Sequence, residues 1–224
     1  MLRPRKHLTK QELKEDTLVT FYAKALKWVE DYRMMLIGGA VAIIVILLGA
    51  FFWYQASGDA EKNASVELAK ATRAYEAADI QNAIPLLSNL VKNYGRTTSG
   101  KLGRFYLANA FFQNKDYDNA RDNFEKFVSS FSGDEHFLAA AQGGIAACLE
   151  QKGQQAAAAA AYEKAADRYD ESVLAPHLLF KAGRCYALAG EKAKAKAMYE
   201  SLVAKYPKAP EKDEAQIQLA MLEP

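Results

Sequence analysis

Between Met34 and Gly58 the chain carries no charged residue, and over its 224 residues it has only two cysteines and three histidines. Two cysteines and three histidines leave little room for a metal-binding framework. His7, His136 and His177 lie in separate segments, and no His or Cys pair has the spacing of metal ligands, so no metal site is expected. There is no glycine-rich phosphate loop, no GxSxG and no HExxH, the arrangements that carry phosphate binding, acyl transfer and metal-assisted hydrolysis. No catalytic residues, no cofactor and no enzymatic activity are therefore expected. Charge of one sign is also missing: 29 Lys/Arg against 27 Asp/Glu leave a net +2. A nucleic-acid-binding protein needs a basic face to meet phosphates, so that class is excluded. Acid pairs such as Asp116/Asp118 flank turns and read as solvated. Asn63-Ala64-Ser65 has the form of a glycosylation acceptor, which has meaning only in a eukaryotic secretory host.

What is present begins with the uncharged run. Residues 34–54, MMLIGGAVAIIVILLGAFFWY, are all apolar or glycine. As a helix they span roughly 31 Å, close to the hydrocarbon thickness of a bilayer. Trp28 and Tyr32 precede the run and Phe51–Tyr54 close it, as amphipathic aromatics do at both membrane interfaces. A buried core helix of this length rarely lacks every polar group. A signal peptide has an apolar run of only about 7–15 residues, although Ala56-Ser57-Gly58 has the small residues of a cleavage site. No cysteine closes the run, which excludes lipoprotein processing there. The expectation is an uncleaved signal-anchor helix.

Orientation follows from flanking charge. Residues 1–33 carry eight Lys/Arg, whereas residues 55–74 carry three, Lys62, Lys70 and Arg73. The positive-inside bias then places the N-terminus in the cytoplasm and the rest in the periplasm, single-pass in the inner (cytoplasmic) membrane. The part beyond the first 33 residues is near neutral, with 21 basic and 22 acidic residues.

The N-terminal tail has a pattern of its own. Thr9-Lys10-Gln11-Glu12 has the spacing of a capping box. Leu18, Tyr22, Ala25, Val29 and Tyr32 recur at helical spacing. This amphipathic helix fits an interfacial or partner-docking role, or simply a lead into the membrane resting on lipid.

Beyond a short linker at 55–63, repetition organises residues 64–224. Ala83, Ala120, Ala158 and Ala195 recur at spacings of 37, 38 and 37. Four residues after each stands a bulky one: Leu87, Phe124, Tyr162 and Tyr199. Twelve before each stands a small one: Ala71, Ala108, Ala146 and Gly183. Phe111, Leu149 and Tyr186 stand nine before three of the anchors, with Ala74 in the first unit. Gly153 and Gly190 sit five before the last two anchors. This resembles the tetratricopeptide repeat, in which small residues on paired helices let them approach and a bulky one fills the groove beside them. Ala182-Gly183, Tyr186, Gly190, Ala195, Tyr199 and Pro207 make the best unit. The fold class is then all-α, a solenoid of tetratricopeptide-type helical hairpins preceded by one transmembrane helix. Four units are expected near 64–97, 101–134, 139–172 and 176–209, with 211–223 as a capping helix charged on its outer face. Each hairpin leaves an apolar face that only its neighbour buries. The first unit lacks the turn glycine, and Pro85 falls early in its second helix, which is expected to start late or kink. The run Ala156–Ala161 is read as a tightly packed helix, because alanine is the best helix former.

Two expectations follow for side chains. Cys148 and Cys185 occupy equivalent positions on adjacent units. Helices pack about 8–10 Å apart, whereas a disulfide needs Cα atoms within about 7 Å. Two buried thiols are expected, against the alternative of an inter-repeat bridge in an oxidising compartment. In tetratricopeptide arrays the first helices line a concave groove through positions 2, 5, 9, 12 and 13 of each unit. The resemblance carries this onto Tyr75, Phe105, Asn109, Phe112, His177, Phe180, Arg184 and Leu188 as a peptide-binding groove, unless the aromatics complete inter-repeat packing instead. Asn109 matches one position of a carboxylate clamp, but Phe105 stands where its lysine is expected.

The whole plan is similar to YfgM-like proteins: a cytoplasmic tail, one span and a periplasmic repeat domain. The stretch LTKQELKEDTLVTFYAKAL also looks like tetratricopeptide proteins of the Bacteroidetes/Chlorobi lineage. The resemblance implies a scaffold that binds proteins or extended peptide segments and accompanies the Sec translocon or periplasmic chaperones. An accessory of Tol-Pal or outer-membrane assembly, and a self-assembling structural scaffold, are the competing readings. An enzyme of unrecognised type is a remote one.

Overall fold

The computed structural model describes residues 17–222, and the expected capping box at Thr9–Glu12 lies outside them. Among the described residues all ten elements are helices: α1 (Thr17–Asp31), α2 (Arg33–Glu76), α3 (Ile80–Tyr94), α4 (Thr98–Gln113), α5 (Tyr117–Ser130), α6 (Glu135–Gln151), α7 (Gln155–Arg168), α8 (Ala175–Leu188), α9 (Lys192–Lys205) and α10 (Lys212–Leu222). The chain divides into two compact units, with the boundary between Ala56 and Ser57.

In the first unit the apolar side chains have no protein cover. Phe21, Tyr22 and Trp28 on α1 are 72%, 67% and 54% exposed, and the large apolar residues of 34–54 are exposed as well. Residues 55–63, expected as a linker, are helical and belong to α2. They contain no proline, and Ala60, Glu61 and Lys62 are good helix formers.

In the second unit the repeat arithmetic becomes packing. Each second helix starts three residues before its anchor alanine: α3 at Ile80, α5 at Tyr117, α7 at Gln155 and α9 at Lys192. Ala83, Ala120, Ala158 and Ala195 are fully buried, and Leu87, Phe124, Tyr162 and Tyr199 are at most 3% exposed. Their partners on the first helices are equally constrained. A Cβ added to Gly183 would stand 2.6 Å from the Tyr199 ring, so the smallest residue sits where the largest ring crosses. The core runs as three successive clusters along the stack. Ala71, Ala83 and Leu87 share the first with Leu107 and Ala110 of α4. Phe124 and Phe127 centre the second. Tyr162, Tyr186 and Tyr199 centre the third, on which Leu219 and Leu222 of α10 rest. Each hairpin thus completes its neighbour's core, and α10 closes the end. The outer side of α10 is not only charged, because Ile217 and Met221 are 50% and 72% exposed there.

The four intra-hairpin turns share one geometry. Ala78, Lys115, Gly153 and Gly190 all have positive φ, from 57° to 82°. The residue after each returns its N–H to the carbonyl five residues back, that of the third-last helical residue: Asp79 to Ala74, Asp116 to Phe111, Gln154 to Leu149 and Glu191 to Tyr186, at 2.9–3.0 Å. This is the Schellman arrangement, for which glycine costs least. In the first two units, where glycine is absent, an aspartate follows and caps the next helix. Asp79 accepts from the Asn82 N–H and Asp116 from the Asn119 N–H. That cap explains why α3 starts at Ile80 rather than late. Pro85 lies on the exposed side of the helix, away from Ala83 and Leu87.

The alanine run is helical within α7, with Ala158 and Ala159 fully buried. Cys148 and Cys185 are buried, unpaired thiols in different core clusters. Burial pushes both up to about 11.

Candidate partner-binding cleft

The first helices α4, α6 and α8 lie side by side, and a cleft of about 430 Å³ opens across them. Phe124 from α5 and Tyr162 from α7 reach it from the second helices. Asn109 and Phe112 line it from α4; Ala140, Gly143, Gly144, Ala147, Glu150 and Gln151 from α6; Leu174, His177, Leu178 and Lys181 from the α8 side.

The cleft sits over α6 because that helix has no large side chain to fill it. In repeat position 5 the other units carry Leu68, Phe105 and Phe180, while the third carries Gly143. Gly144 follows, and a Cβ there would stand 2.6 Å from the Phe124 ring. Phe124 therefore lies directly against the α6 backbone. At Gly143 the only near neighbour is the Leu178 Cδ2, 2.9 Å from an added Cβ.

Polar groups are concentrated toward the end of α6. The Glu150 carboxylate, its side chain 11% exposed, accepts from the Tyr162 hydroxyl at 2.9 Å and from the Arg184 guanidinium. Burial first, and then the Glu150 charge, hold the Tyr162 phenol well above its ordinary range. His177 Nδ1 lies 3.2 Å from Glu211 Oε1. The Asn109 Nδ2 donates to the Phe105 carbonyl at 2.8 Å, and the Tyr117 hydroxyl donates to Gln151 Oε1 at 3.4 Å. Lys181 makes no ion pair among the described residues. Also among the described residues, no group of three or more His, Cys, Asp or Glu could hold a metal ion.

The structure brings together three of the eight residues expected in the groove: Asn109, Phe112 and His177. Phe105 instead packs on Phe124, Phe127 and Phe137, with centroids 5.3–6.0 Å apart. Phe180 packs on Tyr199 at 5.7 Å. In both, the large ring at position 5 takes part in contacts between helices, the alternative that the sequence left open. Tyr75 accepts from Gln113 Nε2 at 2.7 Å and meets the Tyr106 ring, away from the cleft. Arg184 touches the site only through Glu150, and Leu188 is 64% exposed outside it. Among the lining residues that the sequence reading did not name are Ala140, Gly143, Ala147, Glu150 and Gln151. They are positions 2, 5, 9, 12 and 13 of the third unit, so the same numbering identifies them.

The profile of the tetratricopeptide repeat-like domain family matches residues 26–223. The chain belongs to that family. Solved structures share the fold at low identity. A protein described as a kinesin light chain with nearly identical TPR-like repeats, from Podosopora anserina, superposes with a TM-score of 0.57 at 19% identity, covering 70% of this chain and 83% of that one. MamA superposes with a TM-score of 0.55 at 16% identity, covering 71% and 87%. Among curated proteins no match was found. Tetratricopeptide repeat-like domains generally bind proteins or peptides and are typically non-enzymatic scaffolds.

Proposed function

We propose that the chain is a membrane-anchored scaffold that holds an extended segment of a partner protein in the cleft over α6. The observation that carries this reading is the cleft itself. It is apolar on its floor, rimmed by a few polar groups and shared by three consecutive first helices, as suits a peptide laid across a repeat array. The anchor is residues 34–54. They are long and apolar enough to cross a bilayer, and none of that stretch is buried within the protein. Helical backbone satisfies its own hydrogen bonds, which lipid cannot do for it. The charge asymmetry supports a cytoplasmic N-terminus and a periplasmic repeat domain. On this reading the partners are translocating or newly translocated chains, or the Sec and chaperone proteins that handle them.

A second reading, self-assembly through the end of the array, is favoured by Ile217 and Met221 on α10. Sedimentation of the full chain and its Met221→Glu variant in detergent separates the two. A concentration-dependent oligomer lost in the variant supports assembly.

The test of the first reading blocks the cleft. Ala147→Trp places an indole in it, and proteins recovered with the full chain from membranes should fall several-fold while the melting temperature holds. Unchanged recovery with a folded variant moves docking to another surface. Alkaline phosphatase fused after Pro224 should be active in a bacterial host. An active cytoplasmic-only reporter there, or a mature N-terminus at Asp59, contradicts the topology.

A further inference from the structure

We infer that the cleft over Gly143 is a niche for one aromatic side chain of the bound segment, flanked on that segment by an acidic group. The inference rests on the groove reading above and names what the groove selects. Three of the four repeats fill position 5 from within, with Leu68, Phe105 and Phe180, and the rings of the last two lie against Phe124 and Tyr199. The third repeat has Gly143 at this position, and the cleft opens there. The second-helix rings Phe124 and Tyr162 still form its floor. A ring arriving from another chain can lie over the small residues Gly143 and Ala147 that line the opening, with Phe124 and Tyr162, 1% and 3% exposed, closing the floor beneath. About 430 Å³ lies within the range of sites that enclose small ligands, so one ring and its adjoining main chain fit.

Charge sets the flanks. Of the charged side chains around the cleft, Glu150 is neutralised by Arg184, and His177 is paired with Glu211. Lys181, on the rim beside Leu178, makes no ion pair among the described residues. With no ionic partner among the described residues, it is complemented by an aspartate or glutamate next to the arriving ring. A basic flank would add a second positive charge beside it.

The probe is an acetylated, amidated peptide, Gly-Ser-Asp-Phe-Asp-Ser-Gly, titrated against the full chain in detergent micelles. Replacing its Phe by Ala should weaken binding at least tenfold, and replacing both Asp by Lys at least fivefold. Gly143→Leu fills the niche from within and should lose the Phe peptide at least tenfold. Should that variant fail to fold, Lys181→Glu, a change on the rim, should reverse the preference between acidic and basic flanks. Equal binding of the Phe and Ala peptides, full binding by folded Gly143→Leu, or an unchanged flank preference in Lys181→Glu overturns the niche. Any of these together with partner loss in Ala147→Trp leaves the groove reading standing. No binding of any peptide together with unchanged partner recovery in Ala147→Trp overturns both.

Discussion

The third repeat and its two neighbours share a backbone and differ in side-chain size. All three place the anchor alanine and the bulky residue four later in the core: Ala120 and Phe124, Ala158 and Tyr162, Ala195 and Tyr199. Their turns place a left-handed residue at the same point and make the same hydrogen bonds. On the first helices they part. α4 and α8 carry Phe105 and Phe180, and α6 carries Ala139-Ala140-Ala141, Gly143-Gly144 and Ala146-Ala147. The anchors are sufficient to hold a hairpin in the stack, so the groove-facing positions are free to vary. Where they are small, a cleft opens.

The largest effect that sharpens this comparison is expected at its floor. Phe124 is 1% exposed and touches the Phe105 ring, so Phe124→Ala should cost about 3–5 kcal/mol. Phe112→Ala, at a half-buried rim position, should cost clearly less. Equal losses in chemical denaturation would place the rim in the core and break the distinction. Next in size is Gly144→Ala. Its Cβ would press on the buried Phe124 ring, with an overpacking cost of about 1–3 kcal/mol. Gly143→Ala meets only a Leu178 methyl and should be milder. The reverse ranking contradicts the view that α6 is small for two reasons, close packing at Gly144 and an open niche at Gly143.

The turns provide a smaller contrast between the early and late repeats. Lys115 bears a Cβ at φ 62° and Gly153 has none at φ 74°. Lys115→Gly should relieve strain and stabilise by about 0.5–1 kcal/mol, while Gly153→Ala should cost about 1 kcal/mol. Thermal melts of both variants check the sign.

The smallest effect is in pH. Burial raises Cys148 and Cys185 from 9.0 to about 11, so the folded chain holds those protons longer than the unfolded one. Their contribution is intact below pH 9 and is lost as pH climbs from about 9 to 11. Tyr199, raised to about 12 by burial, acts in the same direction at higher pH. Melting temperature should fall over pH 9–11, less steeply in the Cys148→Ala/Cys185→Ala variant. An identical slope assigns the loss to the tyrosines. Alkylation of both thiols at pH 8 should be slow until the protein is unfolded. On the acid side, burial alone would raise Glu61, but hydrogen bonds from Ser99 Oγ and the Ser99 and Thr98 N–H groups outweigh it and hold the carboxylate low. The stability from this contact between α2 and α4 is present above the ordinary carboxylate pKa and is lost as pH falls through the depressed value. Glu61→Gln should flatten that acid loss.

The repeat fold was legible because its determinants are periodic. A small residue at Ala71, Ala108, Ala146 and Gly183 must face a bulky one, and size alternation at fixed spacing survives in the one-dimensional sequence. The site was less legible for the converse reason. Aromatics at groove positions drew attention to Phe105 and Phe180, yet large apolar rings are what neighbouring helices bury first. The cleft is lined by Ala140, Gly143 and Ala147, whose significance lies in the volume they leave empty. The left-handed turns at Ala78 and Lys115 were also invisible, since neither residue announces positive φ. Asp79 and Asp116, each just after its turn, were the available signal.

The central claim is that partners dock in the cleft over α6 rather than on the outer helices. The most direct measurement places one photo-crosslinking amino acid at Lys181, on the cleft rim, or at Lys164, on the exposed face of α7, in the full chain in its native cells. The account predicts partner adducts from Lys181 and at most a trace from Lys164. Adducts from Lys164 with none from Lys181, in protein that remains folded, would contradict it.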